Sequence, residues 1–323
     1  MQTLALSTLS ADAYAREVLP LTAALWARTR SLEEYVADYR SLASSAFGQR
    51  RLRSVALEVD GRVVASCKRF LRTLRCEDRR YSAIGIGSVF TPADLRRRGY
   101  ATAMLGALLD AERAAGTDLA FLFSDIAPAF YASLGFIALP SRQMTIRSDA
   151  LPRERLPLVA LDPFDPGALR RTFEAHEAQR PYALTRSPLD WEFQKLYAAV
   201  RANAGQPLAL GLKRGRRLAA YVYGRRVPKA DAFVVDEFAF GNADDAGAIA
   251  PLLRAAAGDL RKIQGWLPPA IARTALGRAA VRKRTDGITM VIPLSRACRA
   301  SWSRTVDSVL HAEGDPIWST DHI

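Results

Sequence analysis

Apolar positions along the chain switch between two periods, and the switches mark out its elements. Apolar and polar residues alternate from Thr3 to Thr8, which predicts a short strand. From Ala11 to Arg30 and from Leu32 to Phe47 the spacing is helical (Leu19, Leu21, Leu25, Trp26), with Ser31 placed to cap the second helix ahead of Glu33 and Glu34. Val55–Val59 and a run from Val63 through Cys67 to Leu74 alternate around Asp60-Gly61, a dipeptide that favours a two-residue hairpin turn. An apolar strand from Ile84 to Phe90 leads into a Pro92 turn and an amphipathic helix. A strand at Leu119–Phe123, a short helix and a closing strand at Gln143–Ile146 complete this order. It predicts an α/β domain ending near residue 147.

Residues 148–190 carry six prolines, as a connection with some structure of its own would, and Ala168–Ala178 within it reads as a helix. The pattern then returns. Leu208–Leu212, a Lys213–Arg217 turn and Leu218–Val227 echo the hairpin. The strand Phe233–Phe238 follows Ile84 by about 150 positions, Ala248–Leu260 echoes the amphipathic helix, and Gly287–Ile292 echoes the closing strand. The expected division is 1–147, a first domain; 148–190, the connection; 191–294, a second copy; and 295–323, a helix (Trp302, Val306, Val309, Leu310) and a tail ending Trp318-Ser-Thr-Asp-His322-Ile323.

Composition narrows the partners. At 323 residues and 49% hydrophobic, the chain can bury two cores. Its net charge of +13 attracts anions, yet the basic residues form short clusters rather than a stripe interleaved with aromatics, which counts against nucleic acid. Three cysteines without a C-x-x-C pair fit a reducing cytoplasm, with all three buried and inert. No signal peptide and no apolar run of membrane-spanning length are expected, nor a metal; a homo-oligomer is compatible with the sequence.

The chemistry concentrates between Tyr81 and Phe136. The amides of a helix's first turn lack intrahelical partners, and the dipole makes that end positive. Arg96, Arg97 and Arg98 add charge there, and Gly99 permits close backbone approach, so the run through Tyr100, Ala101 and Thr102 suits a diphosphate. Arg96-Arg-Arg-Gly99-Tyr-Ala101 resembles the R/Q-x-x-G-x-G/A signature of the GCN5-related N-acetyltransferases (GNATs). Phe130-Tyr131-Ala-Ser-Leu-Gly135-Phe136 is similar to that family's late F-Y-x-x-x-G-F segment. The resemblance implies an α/β GNAT fold, a mixed twisted sheet with flanking helices, followed by a degenerate GNAT-like domain. In that second copy Asn242, Asp244, Asp245 and Gly247 stand where the arginines and glycine do in the first, and Arg273 stands for Tyr131.

The same resemblance implies acetyl-CoA as co-substrate, Tyr131 as the acid that protonates the departing thiolate, and an oxyanion-binding N–H near Val89, Phe90 and Thr91. The tandem arrangement looks like the enhanced-intracellular-survival (Eis) type, in which the terminal carboxylate enters the first active site as a base. This chain is shorter than that group. The base is not fixed by the residues. The strand Ile84–Val89 has no acid, leaving the Ile323 carboxylate, His322 with an intrinsic pKa of ~6.5, Asp125 through a water, or Glu58. Asp125 is equally placed to cap the helix after it. The expected acceptor is a small-molecule amine or a lysine side chain. A similarity of the Ser124-Asp-Ile segment to fungal lysine acetyltransferases adds a free amino acid. A non-catalytic acetyl-CoA-binding regulator is the alternative reading.

Overall fold

A computed structural model of the chain describes residues 4–125, 128–154, 156–268, 273, 276, 279–301 and 317–323. The first sheet is built from β1 (Leu4–Leu9), β2 (Leu52–Val59), β3 (Arg62–Cys76), β4 (Arg79–Phe90), β5 (Leu119–Ser124) and β6 (Ile137–Ala138). β7 (Arg142–Arg147), β8 (Leu158–Leu161) and β9 (Tyr182–Thr185) follow. The second half adds β10 (Gln206–Arg214), β11 (Arg217–Val227), β12 (Ala232–Phe240), β13 (Lys262–Trp266), β14 (Ala280–Lys283) and β15 (Ile288–Pro293). The eight-stranded sheet runs β1-β2-β3-β4-β5-β15-β6, with β9 pairing β3; the seven-stranded sheet runs β8-β10-β11-β12-β13-β7-β14.

The two sheets therefore match slot for slot, but they exchange one strand. The closing strand expected in the first domain, Gln143–Ile146, pairs with β13 and β14 of the second sheet, while Ile288–Pro293 pairs with β5 and β6 of the first. Both are six residues long, and both fill the slot between a parallel core strand and a short outer strand. A pattern with period two records which face of a sheet a residue takes, not which of two equivalent sheets. The connection is divided as well: β8 joins β10 and β9 joins β3.

Local chemistry sets the helix boundaries. The first predicted helix splits into α1 (Ala11–Glu17) and α2 (Leu19–Trp26) at Pro20, whose ring cannot sit inside a continuous helix. α3 (Leu32–Ser44) opens with a capping box from Ser31 and Glu34, and Ser45 caps a separate α4 (Ala46–Arg51). α5 (Tyr100–Ala114) lays Met104, Leu105, Leu108 and Leu109 on one face of the first sheet, each stabilising the fold by about 2 kcal/mol. On the opposite face α1–α4 pack with α8 (Pro188–Ala202) around Phe47, Phe70 and Phe193. Between β5 and β6 lies α6 (Pro128–Ala132); α7 (Arg170–Ala178) and α9 (Ile249–Ala257) cover the second sheet. The terminal helix predicted around Trp302–Leu310 lies outside the described residues, as does Thr3. Among the described residues no helix is long and apolar enough to cross a membrane.

Candidate active site

β4 and β5 pair in parallel from Ala83/Leu119 to Ile86/Leu122 and then part: β4 continues against β3, β5 against β15. The parting is sharpened by a bulge. Lys68 faces Gly87 and Ser66 faces Phe90, so Ser88 and Val89 together oppose only Cys67, and Ser88 takes a left-handed φ of 52°. Backbone groups at Ser88 and Val89 thus leave the regular ladder at the mouth of a crevice. Beyond Phe90 the chain passes Thr91, Pro92 and a single turn at Ala93–Leu95 into α5.

Arg96, Arg97, Arg98 and Gly99 are all exposed. Arg96 Nε donates to the Thr91 carbonyl (3.2 Å) and an Arg98 Nη to that of Asp94 (3.2 Å), so these two brace the loop as well as charging it. Arg97 (φ 61°) and Gly99 (φ 82°) both take left-handed backbone, and a Cβ on Gly99 would meet nothing within 4 Å. Gly99 is the N-cap with no side chain capping the helix, and no acid occupies the first turn. The amides of Tyr100, Ala101 and Thr102 are left to an outside acceptor, in a concavity of the kind that holds anions.

Tyr131 sits on α6, 8% exposed, its ring edge-on to Phe130 and Phe136. Burial, then the charge of Asp125, pushes its phenol up to about 12. Cys67 in the same cluster is pushed up to about 12 by burial, and all three cysteines are free and buried. Gly287 N–H donates to the Asp125 carboxylate at 3.0 Å. Glu58 is not brought to the crevice. It sits on β2, one strand beyond β3, and accepts a short hydrogen bond from Ser7.

The tail does reach β4. A Cβ on Gly85 would lie 2.2 Å from Ile323 Cδ1, and one on Gly87 would lie 3.0 Å from the Ile323 carbonyl carbon and 3.1 Å from its oxygen. Ala83, Gly85 and Gly87 share one face of β4, while Ile84 and Ile86 point to α5. The absent side chains leave a track that the tail fills. His322 packs tilted against Phe123 (4.7 Å) and edge-on to Trp266 (5.8 Å) with Nε2 3.9 Å from Asp125, and a third of its side chain stays open. Packing lowers its pKa below the ordinary value against the opposing pull of Asp125.

Upstream, the tail is bolted into a buried polar cluster. Asp321 is 1% exposed and lies 2.6 Å from an Arg72 Nη and 2.7 Å from an Arg186 Nη; Gln194 donates to it at 3.0 Å. Burial alone would raise its pKa, and Arg186 and Arg72 outweigh that and hold it low. The sequence did not single out these residues. The available signal was the charge set inside apolar strands: Arg72 in β3, and Asp236-Glu237 in β12.

In the second half the place of the arginine loop is taken by a turn in which Asn242 caps Asp245. Asp245 is buried against Arg214 (2.9 Å) and Arg217 (2.6 Å). α9 begins with buried residues, so no exposed amide end remains there. Arg273 is half-buried among residues outside those described.

A parting parallel strand pair beside an open helix end, with the same architecture repeated once, defines a tandem acyltransferase-type fold. The acetyltransferase (GNAT) domain family matches residues 9–138, and that family uses acyl-coenzyme A. No curated protein matches the chain. Among solved structures, it is similar to a conserved protein of unknown function from Enterococcus faecalis V583, described as a probable N-acyltransferase. That likeness has 16% identity and a TM-score of 0.72, covering 91% of this chain and 73% of that one. Eis1 from Mycobacterium abscessus is similar at 14% identity and TM-score 0.59, covering 90% and 74%. A tandem GNAT protein from the clavulanic acid biosynthesis pathway is similar at 15% identity and TM-score 0.52, covering 91% and 99%.

Proposed function

We propose that the chain is an acetyl-CoA-dependent N-acetyltransferase that moves the acetyl group directly to a primary amine on a small molecule or a lysine side chain. The observation that carries this reading is the meeting, where β4 parts from β5, of an uncapped α5 N-terminus, the Ser88–Val89 bulge and the tail, with Tyr131 in the same buried cluster as Ile84 and Ile86. The diphosphate would rest on the amides from Gly99 to Thr102 within the field of Arg96–Arg98. The thioester would lie in the crevice with its carbonyl oxygen toward Val89 N–H, where developing negative charge is stabilised.

The acceptor ammonium must lose a proton before attack. The carboxylate of Ile323 serves as base, aided by apolar walls that lower the ammonium pKa. His322, held low, is neutral at pH 7 and can relay the proton toward Asp125. As the tetrahedral intermediate collapses, Tyr131 donates to the thiolate. With its phenol near 12, full transfer to a thiolate of ordinary basicity is uphill, so donation completes only as the C–S bond breaks.

The test is CoA release with a panel of aminoglycosides, polyamines, amino acids and lysine peptides. Tyr131→Phe should lower kcat by roughly 10²-fold with acetyl-CoA binding intact. Turnover with none of these acceptors, alongside tight acetyl-CoA binding, would favour a regulator that only senses the carrier.

A further inference from the structure

β12 and β13 pair in parallel over four residues, Ala232/Lys262 to Val235/Gly265, and then part as β4 and β5 do. A register shift at Tyr223/Gly224 marks the same point that the bulge marks in the first sheet. This second crevice holds the chain's own tail. Trp318 packs edge-on to Phe238 (5.2 Å), Ser319 Oγ donates to Asp236 (2.9 Å), and Thr320 Oγ1 donates to Glu237 (2.6 Å). Those three partners are consecutive residues of β12 immediately past the parting.

We propose that the second half has become a socket for the tail, and that Asp321 and Thr320 are positioning residues for the Ile323 carboxylate that acts on the acceptor. The proposal rests on the acetyltransferase reading above. Its mechanics are short-range. Asp321 is clamped by Arg72 of the first sheet and by Arg186, which also donates to Glu237 (2.6 Å) and to Thr320 Oγ1 (2.7 Å). The Thr320 carbonyl accepts from Gln194 (3.0 Å) and Arg201 (3.1 Å). From Asp321 to Ile323 the chain can span at most about 7 Å, so fixing Asp321 confines the carboxylate to the strip of β4 around Gly87. The pin therefore bridges both halves, and loss of register in the socket reaches the crevice of the first half directly.

The experiment compares four full-length chains: native, Asp321→Asn, Thr320→Val, and a chain with one glycine added after Ile323. Each is measured for acetyl-CoA affinity and stoichiometry by calorimetry, and for kcat per acetyl-CoA-binding chain. Thr320→Val keeps shape and every charge, so it decides the matter if Asp321→Asn fails to fold. The expected result is a ~10–100-fold fall in kcat per binding chain in all three variants, with acetyl-CoA affinity within about twofold of native, because misplacement by ~1 Å is enough to cost that much. A merely structural role would reduce the binding-competent fraction and leave kcat per binding chain unchanged, which overturns the proposal. If the glycine extension lowers kcat while the two socket variants do not, positioning fails and the terminal base stands. If the extension changes nothing, the tail has no part in the chemistry and both fall.

Discussion

Lys68 illustrates how a single residue departs from what its neighbours in sequence suggest. It lies on β3 facing Gly87, 8% exposed, with its ammonium over the rings of Tyr39 (5.2 Å) and Tyr14 (5.7 Å). Burial, reinforced by Arg30, lowers its pKa to about 8. The unfolded chain holds that proton up to ~10.4, so between about pH 8 and 10.4 the unfolded state binds more protons and stability rises with pH. Lys68→Met is predicted to stabilise the fold at pH 7 by up to about 3 kcal/mol and to flatten that rise, read from denaturant melts at pH 7, 8.5 and 10. His322 carries the opposite lesson for the rate. Because its pKa is held below the ordinary value, kcat/KM for a lysine-like acceptor should climb with pH above 7 without an inflection near 6.5.

At the scale of elements, glycines do the work on β4 and at the start of α5. Gly87→Ala brings a Cβ against the Ile323 main chain, so it should displace the tail and lower kcat at least tenfold with little change in acetyl-CoA affinity. Gly99→Ala strains a left-handed residue by ~1–2 kcal/mol and points its methyl into the open concavity, so it should do the reverse and weaken acetyl-CoA binding. Comparing Kd and kcat for the pair checks both. The α5 loop was legible in the sequence because its meaning is local: three arginines and a glycine before an apolar helix. The small-residue track Ala83-Gly85-Gly87 was equally visible as spacing, but its purpose lies in a residue more than 230 positions away.

For the whole molecule, the repeat at an offset near 150 announced a second half of the same kind, and the two sheets share one strand order. The strand exchange escaped notice because two alternating six-residue strands are interchangeable in pattern. The tail's anchorage is hidden because a charge inside an apolar strand, such as Arg72, does not name its partner, and Asp321 lies 249 positions away. Both features tie the halves together. Residues 1–147 alone would lack β15 and β9, exposing the edge of β5, and should show no cooperative thermal unfolding by circular dichroism, whereas the full chain should unfold in one transition.

The two crevices make opposite demands on the same ligand: one is open beside an uncapped helix end, the other is filled by residues 318–320. Calorimetric titration of the full chain with acetyl-CoA reads both at once. One equivalent bound per chain is the predicted result. No heat would remove the carrier site from the first half, and two equivalents would mean that the tail does not occupy the second.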